Sequence, residues 1–233
     1  MKKVMNTQHN QKLYDGLLFL FWPFVFALSA FFNYRKPWAK NIFWAFCVFY
    51  GFAFAIGSES QGSDIVGYAD QLKSLHAVDF TITSAIRYFQ NSGEVDILRT
   101  LIAVTLSRVT DSQPVLTALY GLIFGYFFSR NLWYILDRLE GKLLPVTVLL
   151  LVCFFLVNPV WRINGFRMWT ATHIFLFGLL PYLCEGKKKK LWFCAASVMV
   201  HFSFILPLTI LASYLLMGNR LTLYFGFYLS TFF

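Results

Sequence analysis

Asp64 and Tyr68 form the first pair of side chains whose types and spacing could do chemistry in this chain. They lie four residues apart, which is one turn of a helix. A carboxylate in that position can orient a sugar hydroxyl or accept a proton, and the tyrosine ring can stack on a sugar. An Asp that caps a helix, with a Tyr on its apolar stripe, gives the same spacing. The two interpretations stay open.

Arg162 and Arg167 form a second pair, on either side of Asn164. Guanidinium groups bind phosphate oxygens through two parallel hydrogen bonds. The unpaired N–H groups at the start of the helix predicted to follow add donors that point the same way. These residues therefore predict a phosphate-binding site, with arginines that anchor lipid headgroups as the alternative.

His173 and His201 lie inside apolar segments, where an ionisable side chain costs free energy. For each of them a functional role is one interpretation. For both residues the alternative is a neutral imidazole, hydrogen-bonded to a neighbouring carbonyl or hydroxyl. The other acidic residues of the middle segment are interpreted as a solvated face or as helix caps: Asp70, Asp79, Glu94, Asp96 and Asp111.

The four cysteines lie in or beside apolar runs and lack the spacing of a zinc site or a disulfide framework. They are interpreted as core fillers: Cys47, Cys153, Cys184 and Cys194. The sequence predicts no metal site and no other cofactor.

The elements that carry these residues must be largely apolar. The 233 residues are 58% hydrophobic and 13% charged and include 28 Phe, whereas a soluble domain carries roughly 25% charged residues. This composition favours a lipid environment. Twenty Lys and Arg against 11 Asp and Glu give a net charge of +9. Because these bases stand between apolar runs, they indicate membrane topology and not nucleic-acid binding.

Apolar runs of about 20 residues predict membrane-spanning helices. The sequence thus predicts an all-α integral membrane protein, a polytopic bundle of about six spans plus a partial seventh, in a single domain over residues 1–233. The six predicted spans are Leu17–Asn33, Asn41–Gly57, Pro114–Leu136, Leu143–Trp161, Phe166–Cys184 and Leu191–Met217. The partial seventh, Leu221–Phe233, stops within a crossing, which favours a truncated chain.

Lys and Arg concentrate in alternate short loops, so those loops are predicted to be cytoplasmic and residues 58–113 to lie outside. Helical spacing of Ile65, Tyr68, Leu72 and Leu75, and again of Ile82, Ile86 and Phe89, predicts two amphipathic helices on the membrane face of this outer loop. The segment Val95–Thr110, which contains Arg99, is slightly short for a span and is interpreted as interfacial or re-entrant.

Three motifs, in this order, resemble the EpsG family, the Wzy-like polymerases of bacterial exopolysaccharide and capsule. Gly62 to Tyr68 is similar to the family's G-x-D-x-x-x-Y element, and Asn164 to Ala171 to its N-x-x-R-Q-x-x-A helix start. Ala195 to Ser203 is similar to its A-x(n)-H-x-S helix. The resemblance extends from about Leu17 to Leu216. Met168 stands where the family usually has Gln, and family members are usually longer.

The resemblance implies polymerisation of undecaprenyl-pyrophosphate-linked oligosaccharide repeat units at the outer face of a bacterial inner membrane. It also implies membrane lipid around the protein, with a flippase and a chain-length regulator as possible partners. Because no metal cluster is found in the sequence, we expect a metal-independent transfer. The residues expected to act in catalysis are Asp64, His201 and Arg167. Those expected to bind substrate are Arg162, Arg167, Asn164, Tyr68, Arg99 and Ser203.

Two other classes of function stay open at this stage. A membrane transporter or carrier could use His173, His201 and Arg167 to line a path, although the duplicated halves typical of transporters are absent from the sequence. A truncated, non-catalytic membrane subunit is the third possibility. Such a subunit should tolerate loss of Arg167, whereas an enzyme should not.

Overall fold

The computed structural model describes residues 22–54, 64–78, 88, 93, 95–139, 144–157, 160 and 165–230. The regular elements of this part are all helical. They are α1 (Pro23–Phe32), α2 (Ala39–Phe52), α3 (Asp64–His76), α4 (Ile97–Leu106), α5 (Gln113–Leu136), α6 (Pro145–Val157), α7 (Phe166–Glu185), α8 (Trp192–Val200), α9 (Ile205–Met217) and α10 (Leu221–Ser230). Two short 3₁₀ helices, Lys188–Leu191 and Phe202–Phe204, precede α8 and α9.

The predicted polytopic membrane bundle is contradicted by the lengths and polarity of these helices. Within the described residues, none combines enough length with enough hydropathy for a bilayer crossing. Most of the predicted spans form helices of 9 to 14 residues, whereas a crossing needs about 20. The two longer helices, α5 and α7, contain polar side chains inside their length, among them Arg130, Asn131 and His173.

Helices α2 and α5 pack closely because glycine removes the side chains between them. A Cβ atom at Gly51 would collide with the carbonyl oxygen of Thr117, and one at Gly121 with that of Cys47. Gly125 likewise lies against the Cys47 side chain. The two backbones therefore approach each other directly. Around this contact lies a phenylalanine-rich core.

Helices α3 and α4 pair with each other, and α3 also contacts α5 while α4 contacts α8. The predicted apolar stripe on α3 is confirmed, because Ile65, Tyr68, Leu72 and Leu75 are buried. Its place differs from the prediction, since the stripe packs on protein. The second amphipathic helix, around Ile82 to Phe89, lies outside the described residues.

Helices α7 and α8 form a hairpin. Gly186 ends α7 in the left-handed conformation, with φ of 67°, which glycine adopts without steric cost. Gly178 allows the close approach of α8 at Cys194. Cys194 and Cys47 are buried, as predicted for core fillers, but the prediction is wrong for Cys153 and Cys184, which are exposed.

The predicted sixth span, Leu191–Met217, is interrupted at its middle. His201 has an extended backbone, with φ of −149° and ψ of 116°, between α8 and the following 3₁₀ turn. The N–H of Phe202 consequently leaves the helical ladder and donates to the Asp96 carboxylate at 2.9 Å. A hydrogen bond to Asp96, at the start of α4, thus accompanies the break in the helix. His201 lies between α8 and the 3₁₀ turn that precedes α9.

Candidate functional site

The site is centred on the guanidinium group of Arg167, in the first turn of α7. Its Nη1 donates to Asp96 Oδ2 at 3.0 Å, and its Nη2 donates to Asp64 Oδ2 at 3.2 Å. Burial acts to lower the pKa of Arg167, but Tyr68 and the two carboxylates outweigh it and raise that pKa. Arg167 is therefore a permanent cation that joins the starts of α3, α4 and α7.

Asp96 connects Arg167 to a histidine. Its carboxylate is buried, with 4% of the residue exposed, and lies 3.2 Å from Nδ1 of His201. Burial raises the pKa of the Asp96 carboxyl, but the Phe202 N–H, His201 and Arg167 together lower it below its usual value. Asp96 is thus an anion that can orient the His201 ring.

For Asp96 the prediction of a solvated face is wrong, and the prediction of a helix cap is met in its position only. Asp96 occupies the N-cap position of α4, yet its side chain makes no capping hydrogen bond. Its oxygens instead accept from residues 71 to 106 positions further along the chain. The one feature of the local sequence that indicated a special role was an Asp three residues before Arg99, directly ahead of an apolar run. It did not identify Arg167, His201 or Phe202 as partners of Asp96.

Aromatic rings and a second arginine, Arg99, pack against the residues of the site. Tyr68 donates from its hydroxyl to Asp64 Oδ2 at 3.0 Å, and burial raises its pKa. Its ring packs edge-on to Tyr120, which stacks on Phe166 with ring centroids 3.9 Å apart. The buried Arg99 lies 4.9 Å from the Tyr68 ring centre and donates to Gln71.

The structure brings together five of the eight residues predicted to act in catalysis or substrate binding. They are Asp64, Tyr68, Arg99, Arg167 and His201. Ser203 is exposed on the 3₁₀ turn after His201. Arg162 and Asn164 lie outside the described residues.

His173 does not belong to this cluster. It is fully buried between Phe124 and Phe128, and its backbone carbonyl accepts from Asn131 at 2.7 Å. Burial lowers its pKa to about 3. The ring is therefore neutral, as the alternative for this residue predicted, but the predicted hydrogen bond to a carbonyl or hydroxyl is absent among the described residues, because Nε2 has no partner there and Nδ1 lies 3.5 Å from the Asn131 amide nitrogen.

The arrangement can move a proton next to a fixed cation. Among the described residues, no hydrogen bond engages Nε2 of His201, and a quarter of that side chain is exposed. The part of the chain that the structure describes gathers no group of three or more His, Cys, Asp and Glu suited to a metal ion. A carboxylate, a histidine and an arginine in contact form a set suited to general base catalysis with stabilisation of negative charge.

No protein family, curated protein or solved structure gave a match to this chain. The resemblance to the EpsG family therefore stays a prediction based on its three short motifs.

Proposed function

We propose that this protein is a glycosyltransferase that polymerises oligosaccharide repeat units linked to undecaprenyl pyrophosphate. The observation that carries the proposal is the buried Asp96 carboxylate, held between Nδ1 of His201 and the Arg167 guanidinium. The Asp96 carboxylate thus contacts both a candidate base, His201, and a fixed cation, Arg167. The proposed activity is the one that the resemblance implies.

In the proposed reaction His201 is the general base. An acceptor sugar hydroxyl attacks the anomeric carbon of the donor, and its proton passes to Nε2 of His201. Asp96 holds the opposite ring nitrogen, which fixes the tautomer and stabilises the imidazolium that forms. Asp64 is a weaker candidate for this step, because its Oδ2 already accepts from Tyr68 and Arg167.

Arg167 acts on the leaving group. As the bond between the anomeric carbon and the phosphate oxygen breaks, its electron pair goes to the pyrophosphate, and a guanidinium nearby stabilises that charge. Each terminal nitrogen of Arg167 donates to one carboxylate and has a second N–H for a phosphate oxygen. The carboxylates therefore orient the guanidinium without using all of its donors.

Exposed apolar side chains support the lipid part of the substrate. On α9, Leu206 and Ile210 are 65% and 63% exposed and lie one turn apart on the helix that follows His201. A polyprenyl tail could cover such a surface. Action on this substrate requires a position at a bacterial inner membrane, and that location is part of the proposal.

The test is polymer formation by the purified protein from a synthetic polyprenyl-pyrophosphate repeat unit, resolved on a gel. We expect His201→Asn to reduce the rate about 10²- to 10⁴-fold, the contribution typical of a general base. Arg167→Lys should also reduce it strongly, because one ammonium cannot reproduce the two-sided geometry of the guanidinium. His76→Asn, at the far end of α3, is the matched histidine control and should stay active.

In cells, deletion of the gene should collapse a long surface glycan to single repeat units, and the wild-type gene should restore it. Full-length polymer in the deletion strain would refute the proposal. A transporter would instead show uptake into proteoliposomes with no change in the glycan. A non-catalytic subunit would restore the polymer even with Arg167→Lys.

A further inference from the structure

A cavity of about 180 Å³ lies beside the C-terminal part of α7. It is smaller than the pockets of roughly 300 to 1,000 Å³ that take drug-sized ligands, so it suits a small group. The residues that line it include Arg130 and Asn131 of α5, Phe177 and Pro181 of α7, and Lys187 and Lys190 of the following turn. Three of these are cations, and the lining contains no carboxylate.

This cavity is separate from the Arg167 site. Pro181 lies fourteen residues after Arg167 on the same helix, which corresponds to about 21 Å along its axis. The two features therefore present different ends of α7 to ligands, and the function of one can be tested without the other.

Arg130 is held in place by neutral groups. Its Nη2 donates to Asn41 Oδ1 at 2.7 Å, and its guanidinium lies over the rings of Tyr126 and Trp44, at 4.9 and 5.6 Å from their centres. Among the described residues, no carboxylate forms an ion pair with it. These contacts fix the position of the charge and leave it uncompensated.

Lys190 is held in a similar way. Its ammonium lies 4.6 Å from the ring centre of Phe177 and 5.3 Å from that of Phe193, and it too makes no ion pair within the described chain. The third cation, Lys187, pairs with Glu185, which also pairs with Arg138. Arg130 and Lys190 thus remain as two ordered positive charges facing one half-enclosed space.

We propose that this cavity binds a phosphoryl group, either of a free phosphate compound or of an anionic lipid headgroup. Arg130 offers a planar pair of N–H donors suited to phosphate oxygens, and Lys190 offers a point charge. Both side chains are partly buried, which strengthens their attraction for an anion relative to bulk water. The buried Asn131, whose amide nitrogen donates to the His173 carbonyl, also lines the cavity.

The test measures binding of inorganic pyrophosphate to the purified full-length protein by titration calorimetry, with every variant also made in an Arg167→Gln background, because the proposed function places pyrophosphate at Arg167 as well. We expect saturable binding that weakens at least about tenfold in Arg130→Gln and in Lys190→Gln. Lys189→Gln is the matched control, because it removes the same charge from the same turn and Lys189 does not line the cavity. Helix content by circular dichroism shows whether each variant folds. If Arg130→Gln does not fold, the binding measured for Lys190→Gln decides the outcome.

A second measurement separates the two sources of the phosphoryl group. If vesicles of phosphatidylglycerol displace pyrophosphate and vesicles of phosphatidylcholine do not, the ligand is a lipid headgroup. If pyrophosphate binds and neither kind of vesicle displaces it, the ligand is a free phosphate compound. The proposal is overturned if pyrophosphate shows no saturable binding. It is also overturned if Lys189→Gln weakens binding as much as Lys190→Gln, because the attraction would then be diffuse.

Discussion

Asp96 and His173 show how surroundings decide what a buried ionisable side chain does. Asp96 accepts from Arg167 and the Phe202 N–H and lies beside His201, so its charged form is stabilised. His173 lies between aromatic rings, and its Nε2 is buried without a hydrogen-bond partner in the described residues. Burial alone therefore does not identify a catalytic group, and charged partners must accompany it.

His173 should make stability fall as the pH falls from about 6.5 towards 3. Its pKa in the folded protein is lowered to about 3, whereas an unfolded histidine has a pKa of about 6.5. In that window the unfolded chain binds a proton that the folded chain does not. The free energy of unfolding should therefore decrease by about 1.4 kcal/mol per pH unit as the solution is acidified.

Urea unfolding of the wild type and His173→Phe, at pH 6.5 and pH 5, measures this contribution. All other residues are the same in both proteins, so the difference between the two losses of stability isolates His173. We expect the variant to lose about 2 kcal/mol less than the wild type over this interval. Equal losses in the two proteins would show that the buried ring is not held neutral.

At the scale of the helices, glycine positions decide which elements come close. Gly121 and Gly125 on α5 lie against Cys47 of α2, and Gly51 lies against Thr117. The close contact between α2 and α5 supports the start of α5, where Tyr120 underlies Tyr68 and Phe166. The packing of α2 against α5 thus helps to position Tyr120, which contacts Tyr68 and Phe166 at the site.

Gly121→Ala should destabilise the protein by about 1 to 3 kcal/mol, because the added methyl group collides with the Cys47 carbonyl. Gly67→Ala, inside α3, is the matched control. A Cβ at Gly67 meets nothing within 4 Å, so the better helix propensity of alanine should stabilise the protein by about 0.5 to 1 kcal/mol. Thermal or urea unfolding measures both, and a change of the same sign in the two variants would contradict this packing.

At the scale of the whole molecule, the part of the chain that the structure describes exposes much apolar surface. Large exposed apolar side chains occur on three helices in particular: Val146, Leu149, Leu150 and Val157 on α6; Leu206, Ile210 and Leu216 on α9; Leu221, Phe225 and Tyr228 on α10. Extensive exposed apolar surface marks interaction sites with lipids, ligands or proteins. In the proposed function part of this surface, near His201, receives the polyprenyl tail.

The double variant Leu206→Ser and Ile210→Ser should raise the KM for a polyprenyl-linked donor at least about tenfold, since each buried methylene contributes about 0.8 kcal/mol. The kcat should change little, because neither residue contacts the reacting atoms in the proposal. A donor with a short, water-soluble prenyl group is the control and should show the same KM in the variant and the wild type. An unchanged KM for the long donor would place the tail elsewhere.

Local pattern in the sequence was enough to predict that Asp64 and Tyr68 share one turn of a helix with an apolar stripe, because helical spacing is a short-range property. It did not predict that this stripe packs on protein and not on a membrane. The types of residue alone also indicated Arg167 and His201 as candidate functional residues. Asp96 was missed because its partners are 71 to 106 residues away, and only the packing of α4 against α7 and α8 brings them together.

Helix ends were likewise decided by tertiary structure. Apolar composition indicated long spans, but composition does not specify where a helix stops. The predicted sixth span is interrupted at His201, where the Phe202 N–H donates to Asp96 at the start of another helix. The sequence therefore determined which segments are helical and which side chains could react, whereas the three-dimensional contacts determined helix lengths and assembled the Asp96, His201 and Arg167 cluster.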